Sequence, residues 1–142
     1  MSQKFLIHGT VLFLLGLMNG AVIPLFFNTR MGLSAHLAAV QNALVLWALG
    51  LMWARIHLRP TLLTLTARLA LVGLYGIWLA IVAAGITGAN QSLPIAGAGF
   101  GASAMVETLI TVVLYLSSTA LIAAMGLVLW GLMRGRHTAP AS

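Results

Sequence analysis

The residues able to do chemistry in this sequence are few, and they stand in apolar surroundings. Glu107 is the only acidic residue. At helical spacing it is followed by Thr111, Tyr115 and either Ser118 or Thr119, which predicts a polar stripe nearly three turns long. His36 and Asn42 open the run HLAAVQNALVLWALGLMW. Six residues of helix carry Asn42 about 9 Å deeper than His36 and turn it through about 600°, so the side chains stand some 120° apart. That spacing suits two walls of one cavity better than one narrow face. An imidazole offers metal ligation or proton transfer, a carboxylate a proton relay, and an amide the orientation of a bound group.

Each of these residues also has a plainer use. A histidine at a membrane boundary commonly bonds at headgroup level, a carboxylate near a helix end caps a loop, and small hydroxyls bond between helices. His8 near a helix edge, His57 in a loop and His137 in the tail are weaker candidates than His36. Asn19 lies in GLMNG, where Gly16 and Gly20 have the spacing that lets two backbones approach, within one bundle or between protomers. Motifs for soluble chemistry are missing: there is no phosphate-binding glycine loop, no HExxH helix and no carboxylate pair. Cysteine is absent, which excludes thiolate metal sites, iron–sulfur clusters and cysteine nucleophiles.

The elements that must hold these residues follow from composition. Of 142 residues, 61% are apolar and 6% charged, against roughly a quarter charged in soluble domains. Uncharged runs of 25 residues separate Lys4 from Arg30, 24 separate Arg30 from Arg55, and 26 separate Glu107 from Arg134, with another long run after Arg68. About 20 apolar residues cross a bilayer core as a helix. The runs lack the alternation of barrel strands, which leaves helices as the spanning form. The reading is an all-α, integral-membrane four-helix bundle in a single domain over 1–142, with helices at about 5–27, 33–56, 63–88 and 103–133. The first run is kept as a mature helix, since it extends to Phe27 without a small-residue cleavage site at the expected distance. Pro24, Pro60 and Pro94 suit helix ends or connections, and the last loop is pliable with glycines at 85, 88, 97, 99 and 101.

With four spans, Lys4, Arg55, Arg59, Arg68, Arg134 and Arg136 fall on one side and Arg30 on the other. That asymmetry predicts both termini in the cytoplasm of a multi-pass protein of the cell inner membrane. His36, Glu107 and the loop with Asn90 and Gln91 then lie toward the outer side. The basic residues flank the spans and form no patch, so the net charge of +6 reflects topology and not a nucleic-acid partner.

The stretches NTRMGLSAHLAAVQN, PIAGAGFG and ETLIT, with LFLLGLMNG in the first helix and LVLWGL in the last, resemble the hydroxylaminobenzene mutase family over nearly the whole chain. More distantly, His36 with Asn42 six residues on is similar to the pattern of styrene oxide isomerases. The resemblance implies a homotrimer in the bilayer with ferric haem b between protomers, and His36 as the axial iron ligand. It leaves Asn19 and Asn42 as candidates for the cofactor's surroundings, and Asn42, Glu107 and Tyr115 as candidate catalytic side chains. It implies iron acting as a Lewis acid on a small aromatic substrate, turning an arylhydroxylamine into a 2-aminophenol or, alternatively, an epoxide into an aldehyde. The third helix departs from the styrene oxide isomerase pattern: where an amide is expected, YGIWLAIVAAG offers Tyr75 and Trp78. A reading of another class is a small oligomeric multidrug or metabolite transporter using Glu107, although that carboxylate stands near a helix end and not at mid-membrane.

Overall fold

The computed structural model describes residues 1–136, so His137, a weaker candidate in the sequence, lies outside the described residues. Helix α1 spans Ser2–Ala21, α2 Thr29–Met52, α3 Pro60–Thr87 and α5 Ala104–Arg136, with a single turn, α4, at Pro94–Gly97 in the last loop. The described residues contain no strand. All four long helices are apolar enough and long enough to cross a membrane.

The ends differ from the sequence expectation for identifiable reasons. Helix α1 stops at Ala21, six residues short of the predicted end, because the chain tightens into a 3-10 turn over Ile23–Leu25 around Pro24. Helix α2 begins four residues before the prediction, because Asn28 caps it by accepting a hydrogen bond from the Met31 amide at 3.1 Å. Helix α3 opens with Pro60 in its first turn and closes at Gly88, whose φ of 81° is costly for any residue with a Cβ. The glycine-rich loop is more ordered than its composition suggests. Asn28 donates to the Ala96 carbonyl at 2.9 Å, Arg30 reaches the Ala98 carbonyl, and Phe27 packs edge-on against Phe100 at 5.4 Å.

Helix α1 packs on α2, α2 on α3 and α3 on α5, so α2 and α3 form the centre and α1 and α5 flank it. Small residues make the two tight pairs. Between α1 and α2, a Cβ on Gly16 would stand 2.9 Å from that of Ala39, and one on Gly9 would strike the Trp47 ring at 2.5 Å. Between α3 and α5, Gly73 meets the backbone of Ser117 and Leu121, each at 2.9 Å. Without a hydrophobic drive between helices in lipid, such close backbone approach is what holds them.

Ser2 Oγ donates to the Gly50 carbonyl at 2.5 Å, and the His57 amide to the Gly131 carbonyl at 3.1 Å. These contacts gather the N-terminus, the α2–α3 link and the end of α5 at one end of the molecule. That end carries Lys4, Arg55, Arg59, Arg68 and Arg134, and the opposite end carries Arg30. Trp130 is exposed there, with the Arg134 guanidinium over its ring at 4.1 Å, as suits an interfacial anchor. Trp53 is instead a core filler, packed on Phe5 at 4.8 Å.

Candidate functional site

His36 stands two turns into α2, with its ring against α1. Its Nδ1 lies 2.7 Å from the Gly16 carbonyl oxygen. A carbonyl only accepts, so this hydrogen bond requires the proton on Nδ1 and leaves the Nε2 lone pair of the neutral ring free. Ligating histidines are commonly oriented in this way, the second nitrogen donating to a backbone carbonyl. The ring fits only because position 20 lacks a side chain: a Cβ on Gly20 would come within 2.7 Å of Nδ1. Asn19, 7% exposed, donates from Nδ2 to the Gly32 carbonyl at 3.0 Å, one turn of α2 before His36. Gly16 and Gly20 thus form a cradle that fixes the imidazole, and Asn19 between them ties α1 to α2. Half-buried His36 is bordered by exposed Leu33 and Leu37, so the cradle opens to the outside of the protomer.

Asn42 serves a different wall. Its Nδ2 donates to the Leu74 carbonyl at 2.7 Å, joining α2 to α3. One turn beyond Leu74 on α3, toward the His36 end, stands Trp78, whose Nε1 is the single buried side-chain polar atom without a partner among the described residues. An orphaned buried N–H costs about 1–3 kcal/mol, so its presence calls for an explanation. In the sequence Trp78 is a departure in the third helix and one of four tryptophans expected as aromatic anchors or core fillers, and nothing in its spacing could have shown the orphan.

Glu107 stands apart from both. It is 8% exposed and receives the backbone amides of Asn90, Gln91 and Ala102 at 3.0–3.2 Å. The carboxylate therefore holds the α3–α5 loop, and relaying a proton would require it to release those amides. Thr111 bonds Ser92 of the same loop at 3.2 Å. The expected stripe does not persist beyond that point. Steps of four residues overshoot a helical turn by about 40°, so Tyr115, two steps on, has rotated by about 80°; it is 66% exposed on the outer face. Buried Ser117 takes the inner position against Gly76 that the spacing assigned to Ser118 or Thr119. His8 is at the basic end, with Nδ1 3.4 Å from the Tyr75 hydroxyl, which donates to the His8 carbonyl at 3.1 Å.

The sequence pattern of styrene oxide isomerases matches residues 1–133. The chain belongs to the styrene oxide isomerase family. Two curated relatives come from Ectopseudomonas oleovorans. Hydroxylaminobenzene mutase HabB is 39% identical over 142 residues, 99% of this chain and 84% of the relative. Hydroxylaminobenzene mutase HabA is 35% identical over 135 residues, 94% of this chain and 100% of the relative. No solved structure matches the chain. As a member of the styrene oxide isomerase family with mutase relatives, it is an enzyme of the isomerase or mutase type.

The donor set can be tested against the cofactor that the sequence resemblance implied. Among the described residues no group of three His, Cys, Asp or Glu side chains could hold a metal ion. A metal bound at His36 would therefore draw its other ligands from outside the described His, Cys, Asp and Glu side chains of this chain. One imidazole, fixed through Nδ1 with no hydrogen bond at Nε2 and exposed Leu33 and Leu37 beside it, would suit a single protein ligand to a haem iron.

Proposed function

We propose that this protein is a membrane-embedded, haem b-dependent mutase that converts a small arylhydroxylamine into the corresponding 2-aminophenol. The observation that carries the cofactor assignment is the His36 ring, anchored through Nδ1 on Gly16 with Nε2 unengaged. The substrate class rests on the two mutase relatives, which cover most of the chain. The reaction is an isomerisation. The N–O bond breaks, a C–O bond forms at the ortho carbon, and the proton released from that carbon is balanced by one gained at nitrogen, with no external oxidant or reductant.

When bound, ferric haem supplies a Lewis-acidic iron for the substrate oxygen. The chain supplies everything else. Gly16 and Gly20 hold the His36 ring in one orientation. Asn42 and Trp78, a turn apart where α2 meets α3, supply an amide and an unpartnered indole N–H to orient the polar end of the substrate. Glu107 closes the loop over that end of the helices and limits water entry. The apolar helix faces admit a substrate that partitions into lipid. In this reading the basic end faces the cytoplasm of the inner membrane, and a second copy, expected within a trimer, covers the open side of the His36 cradle.

Incubating purified, haem-loaded protein with phenylhydroxylamine and, separately, with styrene oxide tests the assignment. It expects 2-aminophenol from the first. Aldehyde from the epoxide alone would move the assignment to epoxide isomerisation, and no product from either would defeat it.

A further inference from the structure

A cavity of about 290 Å³ lies at the basic end, between α1 and α3, which both pack on α2. Exposed Lys4 stands at it from α1 and exposed Arg68 from α3, while buried Phe5 and Ala67 and half-buried Leu71 give it apolar walls. His8 lies on its deep side, where the Tyr75 hydroxyl donates to the His8 carbonyl at 3.1 Å and ties the two helices together. That bond sets the level of the two cations. Lys4 comes four residues before His8 and Arg68 seven before Tyr75. At about 1.5 Å per residue they differ by less than about one helical turn along the bundle, within reach of their long side chains. The cavity is therefore charged at its mouth and apolar beneath.

Neither cation has a hydrogen bond, ion pair or ring contact among the described residues. Arg30 and Arg134 differ, since Arg30 reaches the Ala98 carbonyl and Arg134 lies over the Trp130 ring. The chain holds no counter-ion for this end: Glu107 is its only acidic residue, and loop amides engage it at the opposite end. A like-oriented second copy brings the same basic end and supplies none either. Arg55 and Arg59 are also basic here, but they belong to the α2–α3 link and do not line the cavity. Topology accounts for basic residues at this end. It does not account for two of them converging from two helices on one cavity.

We propose that this cavity binds the phosphate headgroup of an anionic phospholipid between Lys4 and Arg68. Guanidinium and ammonium groups are strong donors to phosphate oxygens, and basic pockets between membrane helices recognise acidic headgroups. The volume is at the low end of the roughly 300–1,000 Å³ of ligand pockets, so it takes a headgroup and leaves the acyl chains in the bilayer. The apolar walls of Phe5, Ala67 and Leu71 lower the local dielectric and strengthen both charge contacts. A lipid held in this way braces α1 against α3 above the His8–Tyr75 tie. The site lies at the other end of the bundle from His36 and rests on neither the haem nor the substrate assignment.

Native mass spectrometry of the full chain, released from detergent after titration with lipid, tests it. The chain should retain phosphatidylglycerol in preference to phosphatidylcholine with the same acyl chains. Lys4→Gln and Arg68→Gln should each weaken that binding roughly fivefold, as one basic residue near an acidic headgroup contributes. Arg59→Gln and Arg134→Gln remove the same charge from the same end outside the cavity and should leave it unchanged. Thr64→Phe, which plugs the lining with both cations in place, should weaken it as well. Equal retention of the two lipids, or equal losses in all four charge variants, would overturn the site in favour of a diffuse basic surface. Retention of inorganic phosphate in place of lipid, in a parallel titration with sodium phosphate, would overturn the lipid assignment.

Discussion

Gly20 of α1 lies directly beneath the His36 ring of α2, so close that one added methyl would reach Nδ1 at 2.7 Å. The contact joins the packing of the first two helices to the aim of the imidazole. Gly20→Ala should turn the ring and lengthen its bond to Gly16. Disturbing such an orienting partner typically costs 10- to 100-fold in metal affinity. Titration of the apoprotein with haemin, followed in the visible spectrum, should show weakening in that range while far-UV circular dichroism stays unchanged.

Trp78 should separate stability from activity. Trp78→Phe removes the buried unpartnered N–H, and relief of roughly 1–3 kcal/mol offsets much of the packing lost with the smaller ring. Thermal unfolding in detergent should change by under about 1 kcal/mol. If the indole orients substrate, kcat/KM should nevertheless fall about tenfold, which corresponds to about 1.4 kcal/mol. Unchanged kinetics would assign Trp78 to packing alone.

Glu107→Gln should loosen the last loop. The carboxylate accepts three backbone amides, and an amide in its place turns one acceptor into a donor facing an N–H. Hydrogen bonds to a charged group contribute about 1.5–3 kcal/mol. Limited proteolysis should then cut between residues 90 and 102 faster than in the unaltered protein. Unchanged proteolysis would mean that other contacts, such as Asn28 to Ala96, hold the loop without it.

Gly73→Ala and Gly126→Ala make a matched pair. A Cβ at 73 meets the backbone of α5 at 2.9 Å, which cannot give way, whereas one at 126 meets nothing. The first should destabilise by roughly 1–3 kcal/mol. The second should be neutral or stabilising by up to about 1 kcal/mol, since alanine is the better helix former. Urea or SDS unfolding of the two variants checks the contrast.

The helices were legible because uncharged runs long enough to span a bilayer are a strong signal that no packing detail can reverse. Their ends were less so: Asn28 caps α2 through a side-chain acceptor that spacing alone did not single out. His36 stood out by type and position, but the glycines that aim it lie 20 and 16 residues earlier on another helix. Glu107 and Tyr115 were grouped because a four-residue step approximates a turn. The drift over two steps sends Tyr115 outward by about 80°, and Ser117, ten residues from Glu107 and turned about 80° the other way, is the buried hydroxyl in place of the expected Ser118 or Thr119. The unpartnered indole of Trp78 belongs to tertiary packing and leaves no trace in residue order.

The absorption spectrum of the full chain, purified in detergent from cells able to make haem, tests the role of His36 most directly. An intense Soret band that is lost in His36→Ala, and restored when free imidazole is added to that variant, is the expected result. A colourless protein, or a Soret band that His36→Ala leaves unchanged, would contradict it.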